Sequence, residues 1–200
     1  MSILECTSRV ELLEALKKCI LTHKEIFERG ILHCDISTGN LMCNGMLIDF
    51  EQAVFLTPAH GDVRGRGTRP FKGIDVHLGK PNSFMNDVES FFWVLFWICI
   101  YREGSSINNR IVPDFDEWWY LDEADVAARK KGVVRNEADF LRIAEENFNA
   151  YHQPLSPWVS KLRQIVFPDG VPRTELDKSI SDNMVEILED AQSDELVRRE

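Results

Sequence analysis

The sequence predicts a mainly α-helical protein that contains one short β-hairpin. Three observations support this fold class. Apolar residues recur at helical spacing over residues 8–29, and the eleven-residue apolar run from Phe91 to Tyr101 is typical of a helix at the centre of a core. The dipeptide Asn44-Gly45 separates two short apolar runs, which is the pattern of a tight hairpin. With 200 residues, the chain is long enough to bury one substantial core.

Composition and net charge exclude several classes of protein. The chain is 44% hydrophobic and 28% charged, as ordinary globular domains are. Its 23 Lys+Arg against 33 Asp+Glu give a formal net charge of -10, and the whole excess of acid lies in residues 81–200. Because phosphate binding requires a basic surface, we expect no nucleic-acid partner and no membrane partner.

Cysteine usage and the absence of targeting signals predict an intracellular protein, in the cytoplasm or the nucleus. The five cysteines are an odd number without a CxxC pair, which is typical of reduced thiols. The first residues lack the basic and apolar regions of a signal peptide. The apolar run of eleven residues is shorter than the roughly 20 that a membrane span needs. The oligomeric state stays open.

The first helix is predicted over residues 8–29. Ser8 and Glu11 have the spacing of a capping box, in which the hydroxyl accepts a bond from a backbone amide and the carboxylate returns one to the N-cap. Gly30 follows as a left-handed C-cap. The hairpin comes next, and Asn44-Gly45 favours a type I′ turn with positive φ at both residues.

Residues 57–82 are rich in glycine and proline and are predicted to form an irregular loop. The buried helix follows over residues 86–101, with Asn86 and Glu89 as a cap and its acidic partner. The remainder is predicted to be helical, and Ser156 before a proline marks one more helix start. The acidic residues 174–200 are weakly amphipathic, and we expect them to fray.

The segment that carries chemistry has the form H-x-D-x-x-x-x-N, with His33, Asp35 and Asn40, followed by the hairpin and then Asp49-Phe50. Phosphoryl transfer needs a carboxylate beside the attacking hydroxyl and oxygen ligands for Mg²⁺. Asp35 is suited to the first task, and the oxygens of Asn40 and Asp49 to the second. The alternative is that Asp35 and Asn40 only shape a turn and Asp49 only caps a loop.

This segment resembles the catalytic loop and metal motif of eukaryotic protein kinases, H-R-D…N followed by D-F-G. It most resembles the fungal-type protein kinase family. Downstream, residues 67–75 (GTRPFKGID) resemble the end of that family's activation segment, and residues 86–95 (NDVESFFWVL) resemble its buried helix. The resemblance covers about residues 8–101 and continues more weakly to about residue 170.

The resemblance implies a protein kinase-like C-terminal lobe and the family's activity, ATP-dependent phosphorylation of Ser or Thr in a protein substrate of unknown identity. ATP and Mg²⁺ are the implied cofactors. The implied segments are the lobe at 1–173, the catalytic loop at 33–40, the metal motif at 49–51, the activation segment at 49–75, the buried helix at 86–101 and the acidic tail at 174–200.

The same resemblance assigns a role to each residue of the motifs. Asp35 is implied as the catalytic aspartate, with Asn40 and Thr68 beside it, and Thr68 would reach Asp35. Asn40 and Asp49 are the implied ligands of Mg²⁺ and, through it, of the nucleotide.

Two further residues are implied as structural support. His33 would pack and hydrogen-bond behind the catalytic loop. Asp87 would accept hydrogen bonds from the backbone amides of that loop, and helix capping is the alternative for Asp87.

Several features depart from the family pattern. Cys34 replaces the arginine that usually precedes the catalytic aspartate, and a thiol cannot pair with a phosphate on the activation segment. Glu51 replaces the glycine of D-F-G. No G-x-G-x-x-G motif occurs in the sequence, and one helix occupies most of the 32 residues before His33. We therefore expect the nucleotide-binding N-lobe to be absent and the chain to be weakly active or inactive alone.

Two alternative functions remain. A pseudokinase or binding module is favoured by Cys34, Glu51 and the missing N-lobe. A small-molecule kinase resembling choline or aminoglycoside kinases is favoured by the I-D-F-E sequence at residues 48–51, while the Gly67-Thr68 loop and Asp87 favour a protein kinase.

Overall fold

A computed structural model of the chain describes residues 1–57, 63–103, 106–107 and 110–199. Within them the protein is mainly helical, so the predicted fold class is confirmed in this respect. Residues 58–62, which belong to the predicted irregular loop and activation segment, lie outside the described residues.

The helices of the described residues follow the apolar periodicity of the sequence. They are α1 (Arg9–Glu28), α2 (Ile74–His77), α3 (Phe84–Tyr101), α4 (Pro113–Asp116), α5 (Glu123–Val134), α6 (Glu137–Asn147), α7 (Ser156–Val166), α8 (Ser179–Ser193) and α9 (Glu195–Arg198). The predicted irregular loop is partly ordered, since it contains α2 and a short 3-10 helix at Arg69–Phe71. Ser156 is the first residue of α7 rather than its predicted N-cap.

The β structure of the described residues consists of short antiparallel pairs. Strand β1 (Ile31–Leu32) pairs with β2 (Val54–Phe55), and β3 (Arg102–Glu103) pairs with β4 (Ser106–Ile107). The first pair brackets residues 33–53, and it therefore joins the two ends of the segment that carries the catalytic-loop and metal motifs.

Local interactions define both ends of α1. Ser8 is the N-cap, and its Oγ accepts a hydrogen bond from the Glu11 amide at 3.0 Å. Gly30 follows the helix with φ 81, a left-handed conformation that glycine adopts at no steric cost. The capping-box prediction is wrong for the second bond, because the Glu11 carboxylate accepts from the amide and the hydroxyl of Thr7, at 2.7 and 2.8 Å.

The predicted hairpin is present as a tight turn with an isolated bridge rather than as two strands. The Met42 amide donates to the Met46 carbonyl at 3.0 Å and closes the turn. Gly45 has φ 86, whereas Asn44 lies outside the positive-φ region, so the turn is a three-residue loop with a left-handed glycine and not type I′. A Cβ at Gly45 would lie 2.1 Å from Cβ of Lys18 on α1, so the turn also packs closely.

Helix α3 lies at the centre of the core, and nearly all its side chains are buried. Its N-cap is Ser83, whose Oγ accepts from the Asn86 amide at 3.3 Å. The helix therefore begins before the predicted start, and the predicted cap pair of Asn86 and Glu89 is wrong. Among the described helices, α3 alone is long and apolar enough to cross a membrane by length and composition, but 89% of its apolar window is buried inside the fold.

The segment expected to fray is part of the core. Helix α8 packs along α1 and α7, and its apolar face is fully buried, with Ile180, Met184, Leu188 and Ala191 each at most 1% exposed. The acidic side chains lie on the opposite face. The expectation of a loose tail was wrong because the helical period of a few apolar residues outweighed the acidic composition.

Candidate active site

The loop of residues 33–40 is held in place by Asp87, which lies in the first turns of α3. One carboxylate oxygen, Oδ2, accepts hydrogen bonds from the backbone amides of His33 at 3.1 Å and Cys34 at 3.2 Å. Cys34 has φ 65, a left-handed conformation that costs a non-glycine residue roughly 1 kcal/mol. The two hydrogen bonds to a buried carboxylate offset this cost. Asp87 thus orients the loop of residues 33–40, and the helix cap is Ser83 instead.

A third donor reaches the same oxygen and was not predicted from the sequence. His23, on α1, places Nε2 3.0 Å from Asp87 Oδ2, and its ring stacks on Phe84 at 5.1 Å. Both His23 and Asp87 are buried. Asp87 therefore connects α1, α3 and the loop at one point.

His33 lies behind the loop as a neutral imidazole. Burial lowers the pKa of His33 below its usual value. Its Nδ1 accepts from the Asp35 amide at 3.3 Å, so Nε2 carries the proton and donates to the Ile48 carbonyl at 3.2 Å. The ring also contacts Phe50, with centroids 4.9 Å apart. His33 thus links the loop to the segment that leads to Asp49.

Asp35 is buried, and both of its carboxylate oxygens accept hydrogen bonds. Oδ1 accepts from the amide and the hydroxyl of Thr68, each at 2.8 Å. Oδ2 accepts from Nε2 of Gln52 at 2.9 Å and from Nδ2 of Asn40 at 3.2 Å. The structure therefore brings Asp35, Asn40 and Thr68 together, although they lie up to 33 residues apart in the sequence.

Gln52 is the residue of this site that sequence reasoning missed. While its Nε2 donates to Asp35, its Oε1 accepts from the Gly67 amide at 2.7 Å. Its backbone carbonyl accepts from the guanidinium of Arg66. Gln52 thus ties the residues after the D-F motif to the Gly67-Thr68 segment, and only its position three residues after Asp49 could have indicated it.

Asn40 and Asp49 are the two predicted metal ligands, and the turn between them brings their backbones near each other. The side-chain nitrogen of Asn40 donates hydrogen bonds to Asp35, to the backbone oxygen at 2.9 Å and to Oδ2. The Oδ1 atom of Asn40 therefore remains available as a metal ligand. The Ile48 amide donates to the Asn40 carbonyl at 3.0 Å, so Asp49, the next residue, adjoins Asn40.

Asp49 has φ 61 and an exposed side chain, and its Oδ1 accepts from the Glu51 amide at 3.3 Å. Amide and carboxylate oxygens are the hard donors that Mg²⁺ prefers, so the chemistry of this pair fits that ion.

Beneath the Gly67–Gly73 segment lies a buried polar network centred on Glu89 and Lys130, and none of the sequence motifs indicates it. Glu89 Oε1 accepts from the Ile74 amide at 2.8 Å and from Nε1 of Trp93 at 2.9 Å. Lys130 donates to the Lys72 carbonyl and lies 4.5 Å from the Trp93 ring centroid. Burial raises the pKa of Glu89 to about 7 and lowers that of Lys130 to about 7. The network fixes the end of the segment that carries Thr68.

The chain was compared with known proteins and with models of protein families. The chain matches none of the curated proteins with which it was compared. The family model described as fungal protein kinase matches residues 1–99, a span that contains Asp35, Asn40, Asp49, Thr68 and Asp87. Residues 1–99, just under half of the 200-residue chain, are similar to the fungal protein kinase family.

Proposed function

We propose that the chain is the C-terminal lobe of a protein kinase that phosphorylates Ser or Thr residues of a protein substrate. Asp35 accepts the proton of the substrate hydroxyl, and Asn40 and Asp49 hold Mg²⁺ on the phosphates of ATP. The observation that carries this proposal is the contact set of Asp35, with Thr68 on one oxygen and Asn40 on the other.

The residues have separate tasks in this reaction. A bound Mg²⁺ ion supplies charge stabilisation of the transferring phosphoryl group. Thr68 fixes the orientation of the Asp35 carboxylate through two hydrogen bonds to Oδ1. Asp87 holds the loop backbone and does not take part in proton transfer.

The assignment to the C-terminal lobe rests on what the described residues contain. Their β structure amounts to two strand pairs and isolated bridges, whereas a kinase covers the nucleotide with a glycine-rich strand-turn and a strand lysine. Lys17, Lys18 and Lys24 all lie on α1. We therefore expect slow phosphoryl transfer by this chain alone.

A binding module without catalysis is the second candidate, and one observation favours it. An ionised carboxylate has about four acceptor positions, and Asp35 uses all four on protein donors. A substrate hydroxyl would have to displace one of them. Gln52 donates one of these four hydrogen bonds, and the proposed catalytic role of Asp35 does not require it.

Metal binding is the first experiment, because it tests the ligands without requiring turnover. Mn²⁺ replaces Mg²⁺ in titrations of ¹⁵N-labelled protein, and its paramagnetism broadens the amide signals nearest to it. We expect the signals of Asn40 and Asp49 to broaden first. Asp49→Asn should weaken Mn²⁺ binding about tenfold or more, whereas Glu186→Gln, at an exposed acid on α8, should leave it unchanged.

Phosphoryl transfer from ³²P-labelled ATP to a protein substrate is the second experiment. A slow rate that Asp35→Asn abolishes would support the kinase. Mn²⁺ binding without any transfer would favour the binding module. Broadening that begins away from Asn40 and Asp49 would contradict the proposed metal ligands.

A further inference from the structure

Three thiols converge where the first residues of the chain meet the turn after Asn40. The Ile3 amide donates to the Leu41 carbonyl at 2.8 Å, and the Cys43 amide donates to the Met1 carbonyl at 3.0 Å. These bonds bring Cys6 and Cys43 together, with their sulfur atoms 2.7 Å apart. Cys19 lies close by on α1, where its thiol faces the carbonyl of Met42 at 3.7 Å.

We propose that Cys6 and Cys43 are a redox-sensitive pair that forms a reversible disulfide when the protein is exposed to peroxide. The two sulfur atoms are already closer than the van der Waals contact of two sulfurs, and a bond requires them to approach to about 2.05 Å. The backbone hydrogen bonds of Met1 and Ile3 hold the first segment of the chain beside residues 41–43. Cyclisation therefore requires little movement of the main chain.

A metal site at the same place is the competing interpretation, since Cys6, Cys43 and Glu11 bring their ligand atoms within 4.8 Å of one another. Two thiolates on one zinc ion stand about 3.8 Å apart, because each Zn–S bond is about 2.3 Å and the geometry is tetrahedral. The observed separation of 2.7 Å is shorter. The Glu11 carboxylate is also engaged by the amide and hydroxyl of Thr7. Both facts favour the disulfide.

The oxidation balances with hydrogen peroxide as the two-electron acceptor. Cys43 is the more accessible thiol, whereas Cys6 is 4% exposed and burial raises its pKa, so Cys43 reacts first. Its sulfur attacks one peroxide oxygen and becomes a sulfenic acid, and one water leaves. The Cys6 sulfur then attacks the Cys43 sulfur, the S–S bond forms, and the sulfenic oxygen leaves as a second water with the thiol proton. A thiol reductant reverses the reaction.

The bond would restrain the segment between Asn40 and Asp49, because Cys43 lies between them. The disulfide itself does not depend on the proposed kinase function. Its formation therefore remains testable if phosphoryl transfer fails.

The test counts thiols and maps the bond. Alkylated in denaturant, the reduced chain should be modified at all five cysteines, and the chain first treated with hydrogen peroxide at three, with five restored by dithiothreitol. Trypsin without reductant should then release peptide 1–9, which contains Cys6, linked to peptide 30–64, which contains Cys34 and Cys43. Cys43→Ser should abolish the linked peptide, while Cys34→Ser and Cys19→Ser should retain it.

Thermal unfolding supplies a second measurement. The bond closes a loop across a separation of 37 residues, so the oxidised chain should melt on the order of 5 °C higher than the reduced chain. The oxidised Cys43→Ser variant should show no increase. Five reactive thiols after peroxide treatment would overturn the proposal, as would a link from peptide 1–9 to peptide 19–24. One zinc ion per purified chain that Cys43→Ser releases would establish the metal site instead.

Discussion

The Nε2 atom of His23 lies 3.0 Å from the Oδ2 atom of Asp87, and both side chains are buried. Because the same oxygen also accepts from the amides of His33 and Cys34, this contact joins the first helix to the loop of residues 33–40 through the central helix. His23 and the acceptor Asp87 lie 64 positions apart in the sequence. We therefore expect the position of the loop to depend on this single carboxylate and its charge.

Asp87→Asn tests this dependence. The amide oxygen can still accept hydrogen bonds, but without the negative charge, so we expect the free energy of unfolding to fall by about 2 kcal/mol. Urea denaturation followed by tryptophan fluorescence measures the change. Asp114→Asn is the control, because that side chain is 84% exposed and should contribute almost nothing. An Asp87→Asn midpoint equal to that of the control would show that the charge does not hold the loop.

The helical framework could be predicted where local interactions determine it. Ser8 and Gly30 mark the ends of α1 to within one residue, since a cap depends only on its neighbours. The start of α3 was misplaced because Ser83 and Asn86 are both good caps, and packing selects the first. Gly45 likewise adopts the turn that fits against Lys18.

The candidate site could be predicted only where residues lie within motifs. His33, Asp35, Asn40 and Asp49 are identified by spacing, and their chemistry is evident from the residue types. Gln52 carries no such signal, because its role arises from contacts with partners up to 17 residues away.

The acidic C-terminal segment should behave as core rather than as a frayed tail. Leu188 is fully buried on the face of α8 that packs on α1, so Leu188→Ala should lower the free energy of unfolding by about 3 kcal/mol. Glu186→Ala, on the exposed face of the same helix, should change it by less than about 0.5 kcal/mol. Chemical denaturation compares the two, and equal midpoints would mean that α8 is not part of the cooperative core.

Glu89 and Lys130 should be energetically coupled. Replacing either one alone leaves the other as an uncompensated buried group, so Glu89→Gln and Lys130→Met should each cost about 3 kcal/mol. The double variant removes both charges, and its loss should be smaller than the sum by about 1 kcal/mol or more. A double-mutant cycle from denaturation curves measures this difference. Strict additivity would show that the two groups act independently beneath the Thr68 segment.

The stability of the protein should fall with acidification partly because of His152. Burial beside Arg9 lowers the pKa of His152 to about 3, and neither ring nitrogen has a hydrogen-bond partner among the described residues. Between pH 6.5 and 3 the unfolded chain therefore binds a proton at this position and the folded chain does not. Above pH 6.5 the neutral His152 makes its full contribution to the free energy of unfolding. At pH 5.5 the free energy of unfolding is lower by about 1.4 kcal/mol because of this residue.

His152→Leu isolates this contribution. Leucine has a similar volume and does not titrate, so the drop in unfolding free energy from pH 7.5 to 5.5 should be about 1.4 kcal/mol smaller in the variant than in the parent. Denaturant titrations at both pH values provide the comparison. A drop of the same size in both proteins would mean that His152 is protonated in the folded state.

Gln52 should limit access to Asp35 if the site carries out phosphoryl transfer. Its Nε2 occupies an acceptor position on Oδ2, and displacing one such hydrogen bond costs about 1.4 kcal/mol, or a factor of ten in rate. Gln52→Met fills the same space without a donor, so we expect transfer from ATP to accelerate about tenfold.

The same substitution removes the acceptor of the Gly67 amide and should lower the free energy of unfolding by about 1 kcal/mol. Gln164→Met, whose partner on α6 is exposed, is the control for both measurements. A slower rate in Gln52→Met would mean that Gln52 positions Asp35 for catalysis, because orientation would then outweigh access.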